Sequence, residues 1–284
     1  MRMKAVKPGM MKVPESAVDP TEPRPVDSAA LSCCSAFYEL DWVRLLAEDI
    51  FHPGGEALTR KTLAAMNLPP RSAIADLGCG TGTSALLLAG EFDLQVSAVD
   101  ASSSNIARAS ARIEPDDPPI EFLVADAHDL PFENAQFDAV LAECTFSLFS
   151  DQARALSEIR RVLKPHGQLG VTDMATGGLL AEDISQVLAP WTCLADAVDQ
   201  DEYAKRFRSA GFSIEEIADE SQGLEQMISA LKRKLLMLSM GALMPGQSLP
   251  ELDFATIRHW LQRFREEVDQ GAIRYLRFQL RAPG

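Results

Sequence analysis

The chain has 284 residues, of which 46% are hydrophobic and 24% charged, a composition typical of a globular protein with a sizeable core. Its formal net charge is -14 at pH 7, and so acidic a surface repels phosphate backbones, which argues against a nucleic-acid partner. No apolar stretch reaches the roughly 18 residues that a membrane span needs, so we expect no membrane insertion.

The N-terminal stretch is basic but lacks the apolar core of a signal peptide, which predicts a cytoplasmic protein. Thiols stay reduced in that compartment, so the cysteines are expected to be reduced thiols or soft ligands and not a disulfide framework. They are Cys33, Cys34, Cys79, Cys144 and Cys193. Neither a CxxC motif nor a Cys/His pair with zinc spacing is present, which argues against structural zinc.

The first two segments of the chain differ in their pattern. Residues 1–28 contain five prolines among charged and small residues, which is typical of a mobile tail. Residues 29–69 carry apolar residues at helical spacing on either side of the sequence HPGG at 52–55. Because proline and glycine interrupt helices, we predict a helical cap made of two helices.

Residues 70–220 alternate between short apolar runs and helical stretches. The strand-like runs lie at 73–77, 94–99, 120–125, 137–142, 168–173 and 212–217. Short apolar strands that alternate with helices indicate crossover connections and a parallel sheet with both faces covered. We therefore predict a Rossmann-like α/β domain over this range.

Residues 221–284 break the alternation. Apolar residues between 224 and 238 fall at helical spacing, and a second helix is predicted at about 251–269. The chain then closes with IRYLRFQL at 273–280, which alternates like a strand. This segment is predicted to be a helical insertion followed by a final strand.

The sequence ADLGCGTG at 75–82 is the strongest local signal for a ligand site. A strand leads through Asp76 into a turn with Gly78, Gly80 and Gly82, and a helix follows directly. Glycines allow a ligand to approach the backbone, and the amides of the helix N-terminus face it. A dinucleotide-binding turn would have a glycine at Thr83. The spacing found here favours a ligand with an amino-acid moiety and a ribose.

Two further acidic residues follow strands of the same sheet. Asp100 ends the second strand, where its carboxylate can accept both hydroxyls of a ribose, and Asp126 follows the third, where it can accept a bond from an adenine amino group. Either alone would be interpreted as a helix cap or loop residue. Together with Asp76 they lie at the carboxyl ends of successive parallel strands, where open α/β sheets bind ligands.

With these residues the chain resembles the class I S-adenosylmethionine-dependent methyltransferases. The motifs that carry the resemblance are ADLGCGTG, AVDAS (98–102), ADAHDLPF (125–132), FDAVLAE (137–143) and RRVLKPHGQLGVTD (160–173). The resemblance implies a seven-stranded sheet whose last strand is antiparallel, and S-adenosylmethionine as cofactor.

The same resemblance implies roles for individual residues around the cofactor. Asp76 and the three glycines would lie by its methionine part, Asp100 with Ala101 by its ribose, and Asp126 with Ala127 by its adenine. Tyr38, in the predicted cap, would contact the methionine end, as an upstream tyrosine does in many relatives.

A narrower resemblance concerns the acceptor. The stretch ECTFSLF at 143–149, followed by TCLADAVDQDEYAKRFRSAGF at 192–212, is similar to the arsenite methyltransferases. That family implies Cys144 and Cys193 as ligands of trivalent arsenic, with Cys33 or Cys34 as a third thiolate. Trivalent arsenic is soft and binds thiolates. The leading hypothesis is therefore methylation of arsenite or methylarsenite.

Two alternatives remain open. Glu143 stands where the arsenite enzymes carry a small polar amide residue, so a carboxylate could position or deprotonate an oxygen, nitrogen or carbon nucleophile of a small organic or quinone-like acceptor. Glu143 is accordingly a candidate both for catalysis and for cofactor binding. The other alternative is a non-catalytic protein that binds S-adenosylmethionine.

Overall fold

The computed structural model describes most of the chain. The described residues are 52–188, 193–194, 196–239 and 253–284. The predicted tail, the first part of the predicted cap and three candidate site residues lie outside them. Those three residues are Cys33, Cys34 and Tyr38.

Seven strands form one sheet within the described residues. They are β1 (Ala73–Leu77), β2 (Gln95–Asp100), β3 (Ile120–Val124), β4 (Phe137–Glu143), β5 (Leu163–Thr176), β6 (Ser213–Asp219) and β7 (Ile273–Arg281). Their order across the sheet is β3-β2-β1-β4-β5-β7-β6. The first five are parallel to one another, whereas β7 runs antiparallel to both β5 and β6. This confirms the predicted α/β sheet with an antiparallel last strand.

The helices precede, connect and follow these strands. They are α1 (Gly55–Met66), α2 (Thr83–Phe92), α3 (Ser103–Ala111), α4 (Gln152–Val162), α5 (Gln200–Ser209), α6 (Ser221–Ser239) and α7 (Phe254–Asp269). Side chains of Ser102, Asp151 and Asp199 accept bonds from backbone N–H groups in the first turns of α3, α4 and α5. Such caps satisfy N–H groups that have no partner within the helix, so they mark where these helices begin.

Apolar side chains pack on both faces of the sheet, as expected for strands that are buried on both sides. One cluster joins β4, β5 and β7 to α4 and α5, and a second joins β1 and β2 to α1 and α2. A third cluster lies between β5, β7 and the helices α6 and α7. It contains Cys193, and Cys144 packs against it. The C-terminal helical segment therefore covers the region just after β4.

The structure changes one boundary of the sequence prediction. Strand β5 begins at Leu163, earlier than the predicted 168, because the chain pairs with β4 through a register shift and His166 adopts a positive φ of 61°. Residues Ile184–Leu188 form a short π-helical turn. The two helices predicted for residues 221–284 are α6 and α7. No helix among the described residues has the length and apolar character to cross a membrane.

Candidate active site

The glycine turn between β1 and α2 forms the floor of the site. Gly78, Gly80 and Gly82 all have positive φ, which L residues adopt only with strain. A Cβ on Gly78 would overlap Thr145, and one on Gly82 would lie 2.9 Å from Phe122. A Cβ on Gly80 would meet nothing within 4 Å. Backbone is therefore exposed at Gly80, where a ligand can approach it closely.

A cavity of about 290 Å³ opens above this turn. Its lining residues come from the end of β1, the start of α2, the cap, α3 and the end of β4. They are His52, Gly55, Glu56, Asp76, Gly78, Cys79, Gly80, Thr83, Ser84, Arg112 and Glu143. Because the carboxyl ends of parallel strands meet at this edge, the fold brings together side chains that are far apart in the sequence.

Asp76 is the most deeply buried acid of the cavity, with 2% of its surface exposed. Its Oδ2 atom has no hydrogen-bond partner among the described residues. Burial raises the pKa of the Asp76 carboxyl well above its usual range, and the nearby carboxylates of Glu143 and Asp100 raise it further. A buried carboxylate without a partner is costly, so a cationic group of a ligand would stabilise it.

Asp100 lies beside the glycine turn at the end of β2. Its Oδ2 accepts the Gly80 N–H at 2.9 Å, and its Oδ1 accepts the Ser102 N–H at 2.8 Å and the Asn105 Nδ2–H at 3.2 Å. These bonds fix the carboxylate in place. Two carboxylate oxygens offer about four acceptor positions. Three are used by these bonds, so about one position, on Oδ2, remains for a ribose hydroxyl. The next residue, Ala101, is exposed.

Asp126 is bonded to its own loop. Its Oδ1 accepts the N–H of His128 at 2.9 Å and also contacts the His128 ring at Nδ1. The other ring nitrogen, Nε2, accepts the Asp151 N–H at 3.1 Å. The intervening Ala127 is buried. His128 thus ties the predicted adenine-binding loop to the start of α4.

Glu143 ends β4 and accepts several hydrogen bonds at the wall of the cavity. The Thr59 hydroxyl lies 3.1 and 3.0 Å from its two oxygens, and the Ser84 hydroxyl donates to Oε2 at 2.6 Å. His52 Nε2 lies 3.5 Å from the same oxygen. Glu143 therefore connects the sheet to the cap through Thr59 and His52 and to α2 through Ser84.

His52 is a site residue that the sequence did not assign. Its Nδ1 lies 3.2 Å from the carbonyl oxygen of Pro53, and its Nε2 lies 3.4 Å from Thr59 Oγ1. The turn is closed by the Gly55 N–H, which donates to the His52 carbonyl at 3.1 Å. The HPGG sequence predicts this turn, but only the fold shows that the imidazole reaches Glu143.

Cys144 and Cys193 are adjacent in space. The Cys144 thiol donates to Cys193 Sγ at a sulfur-to-sulfur distance of 3.4 Å, and the Cys193 thiol lies 3.6 Å from the Cys144 carbonyl oxygen. The backbone of Cys144 has a positive φ of 54°, and its N–H donates to the Thr172 carbonyl at 2.6 Å. The bond to Cys193, followed by burial, raises the pKa of the Cys144 thiol.

The remaining described cysteine differs from this pair. Cys79 lies in the glycine turn, where burial and then the carboxylates of Asp76 and Asp100 raise the pKa of its thiol well above the usual range. We expect no chemical role for it. Across the described ranges, no group of three or more His, Cys, Asp or Glu side chains could hold a metal ion.

Comparisons with known proteins agree with this geometry. Residues 74–167 match the family model described as a methyltransferase domain. The O-methyltransferase cnsE of Penicillium expansum is 31% identical over 202 residues, which cover 70% of this chain and 71% of that protein. The 27-O-demethylrifamycin SV methyltransferase of Amycolatopsis mediterranei is 30% identical over 239 residues, which cover 80% and 85% respectively.

A solved structure shares the fold. The Haemonchus contortus phosphoethanolamine N-methyltransferase 2, in complex with phosphomonomethylethanolamine and S-adenosylhomocysteine, superposes with a TM-score of 0.79 at 20% identity. The match covers 93% of this chain but only 62% of that protein. At 20% identity, this similarity establishes a shared fold and nothing about the substrate.

The chain belongs to the class I S-adenosylmethionine-dependent methyltransferases. It is an enzyme, and its cofactor is S-adenosylmethionine. The narrower resemblance to the arsenite methyltransferases finds no support in these two relatives, whose names describe methylation at oxygen.

The residues around the cavity fit this cofactor. The unpartnered carboxylate oxygen of Asp76 suits the ammonium group of a methionine moiety, and the exposed backbone at Gly80 allows close approach.

Proposed function

We propose that this enzyme transfers a methyl group to a hydroxyl oxygen of a small organic acceptor. The names of the Penicillium and Amycolatopsis relatives support oxygen as the acceptor atom. The structural observation that carries the proposal is the pair formed by His52 and Glu143 at the wall of the cofactor cavity. A hydroxyl is a weak nucleophile until it loses its proton, and this pair is suited to accept one.

When bound, S-adenosylmethionine supplies an electrophilic methyl group on a positively charged sulfur. As the acceptor's oxygen–carbon bond forms and the carbon–sulfur bond breaks, the hydroxyl proton needs an acceptor. The step uses the tautomer in which His52 Nδ1–H donates to the Pro53 carbonyl oxygen, 3.2 Å away. In that tautomer Nε2 is available to accept the proton from the hydroxyl.

Glu143 supports this role electrostatically. Its Oε2 lies 3.5 Å from His52 Nε2, so its negative charge stabilises the imidazolium that forms. The hydroxyls of Thr59 and Ser84 hold the carboxylate in position by donating to it. In this proposal Glu143 forms an ion pair with His52 once Nε2 has taken up the proton, and it also adds negative charge beside Asp76 for a cationic cofactor.

The surroundings of the site favour an acceptor with an apolar body. The third cluster, under α6 and α7, includes Leu58 of the cap and Met174 at the end of β5. Met227 of α6 and Trp260 of α7 pack against it. Cys144, the residue after Glu143, packs against the same cluster. Apolar walls with a few polar groups are typical of sites for small organic ligands.

Single substitutions test the proposal. His52→Asn should lower turnover by about 100-fold or more, as expected for loss of a general base, while S-adenosylhomocysteine still binds. Glu143→Gln should lower turnover less. Formation of S-adenosylhomocysteine in the presence of hydroxylated aromatic and alicyclic compounds measures turnover, and calorimetry measures affinity. His166→Asn is the control. Unchanged turnover by His52→Asn would refute the proposed role of the histidine.

Methylation of trivalent arsenic is a second candidate, and a specific observation favours it. The sulfur atoms of Cys144 and Cys193 lie 3.4 Å apart just beyond Glu143, which suits two thiolate ligands of one soft atom. The third thiolate of this hypothesis, Cys33 or Cys34, lies outside the described residues. The names of the relatives favour the hydroxyl acceptor, so arsenic stands second.

A further inference from the structure

The charges around the cofactor cavity are uneven. Among the described residues, three carboxylates line it, those of Glu56, Asp76 and Glu143, and Arg112 is the one lysine or arginine. The methionine part of the cofactor carries an ammonium group and a carboxylate. The acidic residues suit the ammonium group, but each of them repels the carboxylate. The carboxylate of the cofactor therefore needs a separate subsite in the cavity that stabilises negative charge.

Arg112 reaches across the glycine turn from the C-terminal end of α3. Its Nη1 donates to the Thr81 carbonyl oxygen at 3.0 Å and to Thr83 Oγ1 at 2.8 Å. A guanidinium has five N–H donors, and Nη1 supplies only two of them. These contacts hold the side chain beside the cavity and leave donors that a ligand can engage.

The place that Arg112 reaches is also the N-terminus of α2. This helix has ten residues, starts at Thr83, and its preceding residue, Gly82, makes no side-chain cap. The first N–H groups of a helix lack partners within it and attract anions. The unpartnered Oδ2 of Asp76, buried in the same cavity, is an independent sign that a charged ligand completes this site.

We propose that Arg112 and the N-terminus of α2 bind the methionine carboxylate of S-adenosylmethionine, while Asp76 binds the ammonium group. Arg112 thereby distinguishes the intact amino acid end of the cofactor from adenosyl compounds that lack the carboxylate. The assignment concerns the methyl donor and holds whichever acceptor the enzyme methylates. A failure of this proposal would leave the proposed hydroxyl methylation untouched.

Calorimetry with two ligands tests the assignment. The probes are S-adenosylhomocysteine and its decarboxylated analogue, which keeps the adenosine, the sulfur and the amine. The wild-type protein should bind S-adenosylhomocysteine at least ten-fold more tightly, as expected for charge-assisted hydrogen bonds to a carboxylate. Arg112→Gln should lose most of that preference by weakening only the first ligand. Arg112→Lys, which keeps the charge without the planar fork, should retain part of it.

Arg108→Gln is the matched control, because Arg108 lies in the last turn of the same helix and does not line the cavity. It should leave both affinities unchanged. If Arg112→Gln weakens both ligands by the same factor, Arg112 only supports the glycine turn and the proposal is wrong. Equal binding of the two ligands by the wild-type protein would overturn it without any variant.

Discussion

The sulfur atoms of Cys144 and Cys193 lie 3.4 Å apart, although the two residues are 49 positions apart in the sequence. Cys144 follows the last residue of β4, and Cys193 lies between β5 and α5. Both residues pack in or against the apolar cluster to which α6 and α7 contribute. The fold thus places a dithiol directly after Glu143, a residue that lines the cofactor cavity.

This dithiol predicts cooperative binding of thiophilic reagents. Trivalent arsenic should protect Cys144 and Cys193 together from alkylation in the folded protein, because one soft atom engages both sulfurs. Either cysteine changed to serine should remove the protection of the other, since a hydroxyl does not replace a thiolate. Mass spectrometry of alkylated peptides measures this, and Cys79→Ser is the control. Independent protection of the two thiols would contradict a shared site.

The arsenic hypothesis also makes a prediction about turnover. If arsenic is the natural acceptor, the double serine variant at Cys144 and Cys193 should lose methylation activity while its affinity for S-adenosylhomocysteine is retained. Normal turnover of the natural acceptor by this variant would remove arsenic from consideration. The hydroxyl proposal predicts that normal turnover.

A second prediction concerns the ribose. Asp100→Ala should weaken binding of S-adenosylmethionine by about 2 kcal/mol or more, because a charge-assisted hydrogen bond to a ribose hydroxyl is lost. The substitution also removes the carboxylate that accepts the Gly80 N–H, so we expect the glycine turn to become less well ordered. Titration calorimetry checks this result. An unchanged affinity would show that Asp100 does not hold the cofactor.

A third prediction concerns the pH dependence of stability. Asp173 is fully buried, and burial raises the pKa of its carboxyl from 3.8 to about 7, although Ser147 and the Met174 N–H donate to it. The folded protein therefore holds this proton more tightly than the unfolded chain does. Its contribution to stability is fully present below about pH 4 and is lost as the pH rises through about 7.

Asp173→Asn should accordingly flatten the fall in unfolding free energy between about pH 4 and 7, by an amount on the order of a few kcal/mol. Denaturant titrations at several pH values measure the slope. Asp116→Asn, which changes an exposed carboxylate, is the control and should keep the wild-type slope. A wild-type slope in Asp173→Asn would mean that another group causes the dependence.

The sequence predicted which residues converge at the carboxyl edge of the sheet better than it predicted the contacts made by the cap and by α3. Asp76 and Asp100 could be placed because they lie at the ends of adjacent parallel strands, which meet at one edge of any such sheet. Local patterns alone therefore implied that they converge. The glycine turn could likewise be predicted from the spacing of its three glycines alone.

His52 and Arg112 could not be predicted in this way. Each reaches its site through tertiary packing, His52 from the cap to Glu143 and Arg112 from the end of α3 to Thr83. A histidine before Pro-Gly-Gly predicts a turn, and an arginine in the last turn of a helix is common for electrostatic reasons alone. Neither pattern specifies which distant residue the side chain contacts.

The central claim is methyl transfer from S-adenosylmethionine to a hydroxyl oxygen, and product analysis tests it most directly. The enzyme would be incubated with cofactor carrying an isotope-labelled methyl group and with matched panels of hydroxylated compounds, amines and trivalent arsenicals. Mass spectrometry and NMR then identify the atom that receives the label. We expect the label on the oxygen of a hydroxylated compound, as a methyl ether. A label on nitrogen, carbon or arsenic, with the hydroxylated compounds left unmethylated, would contradict the claim.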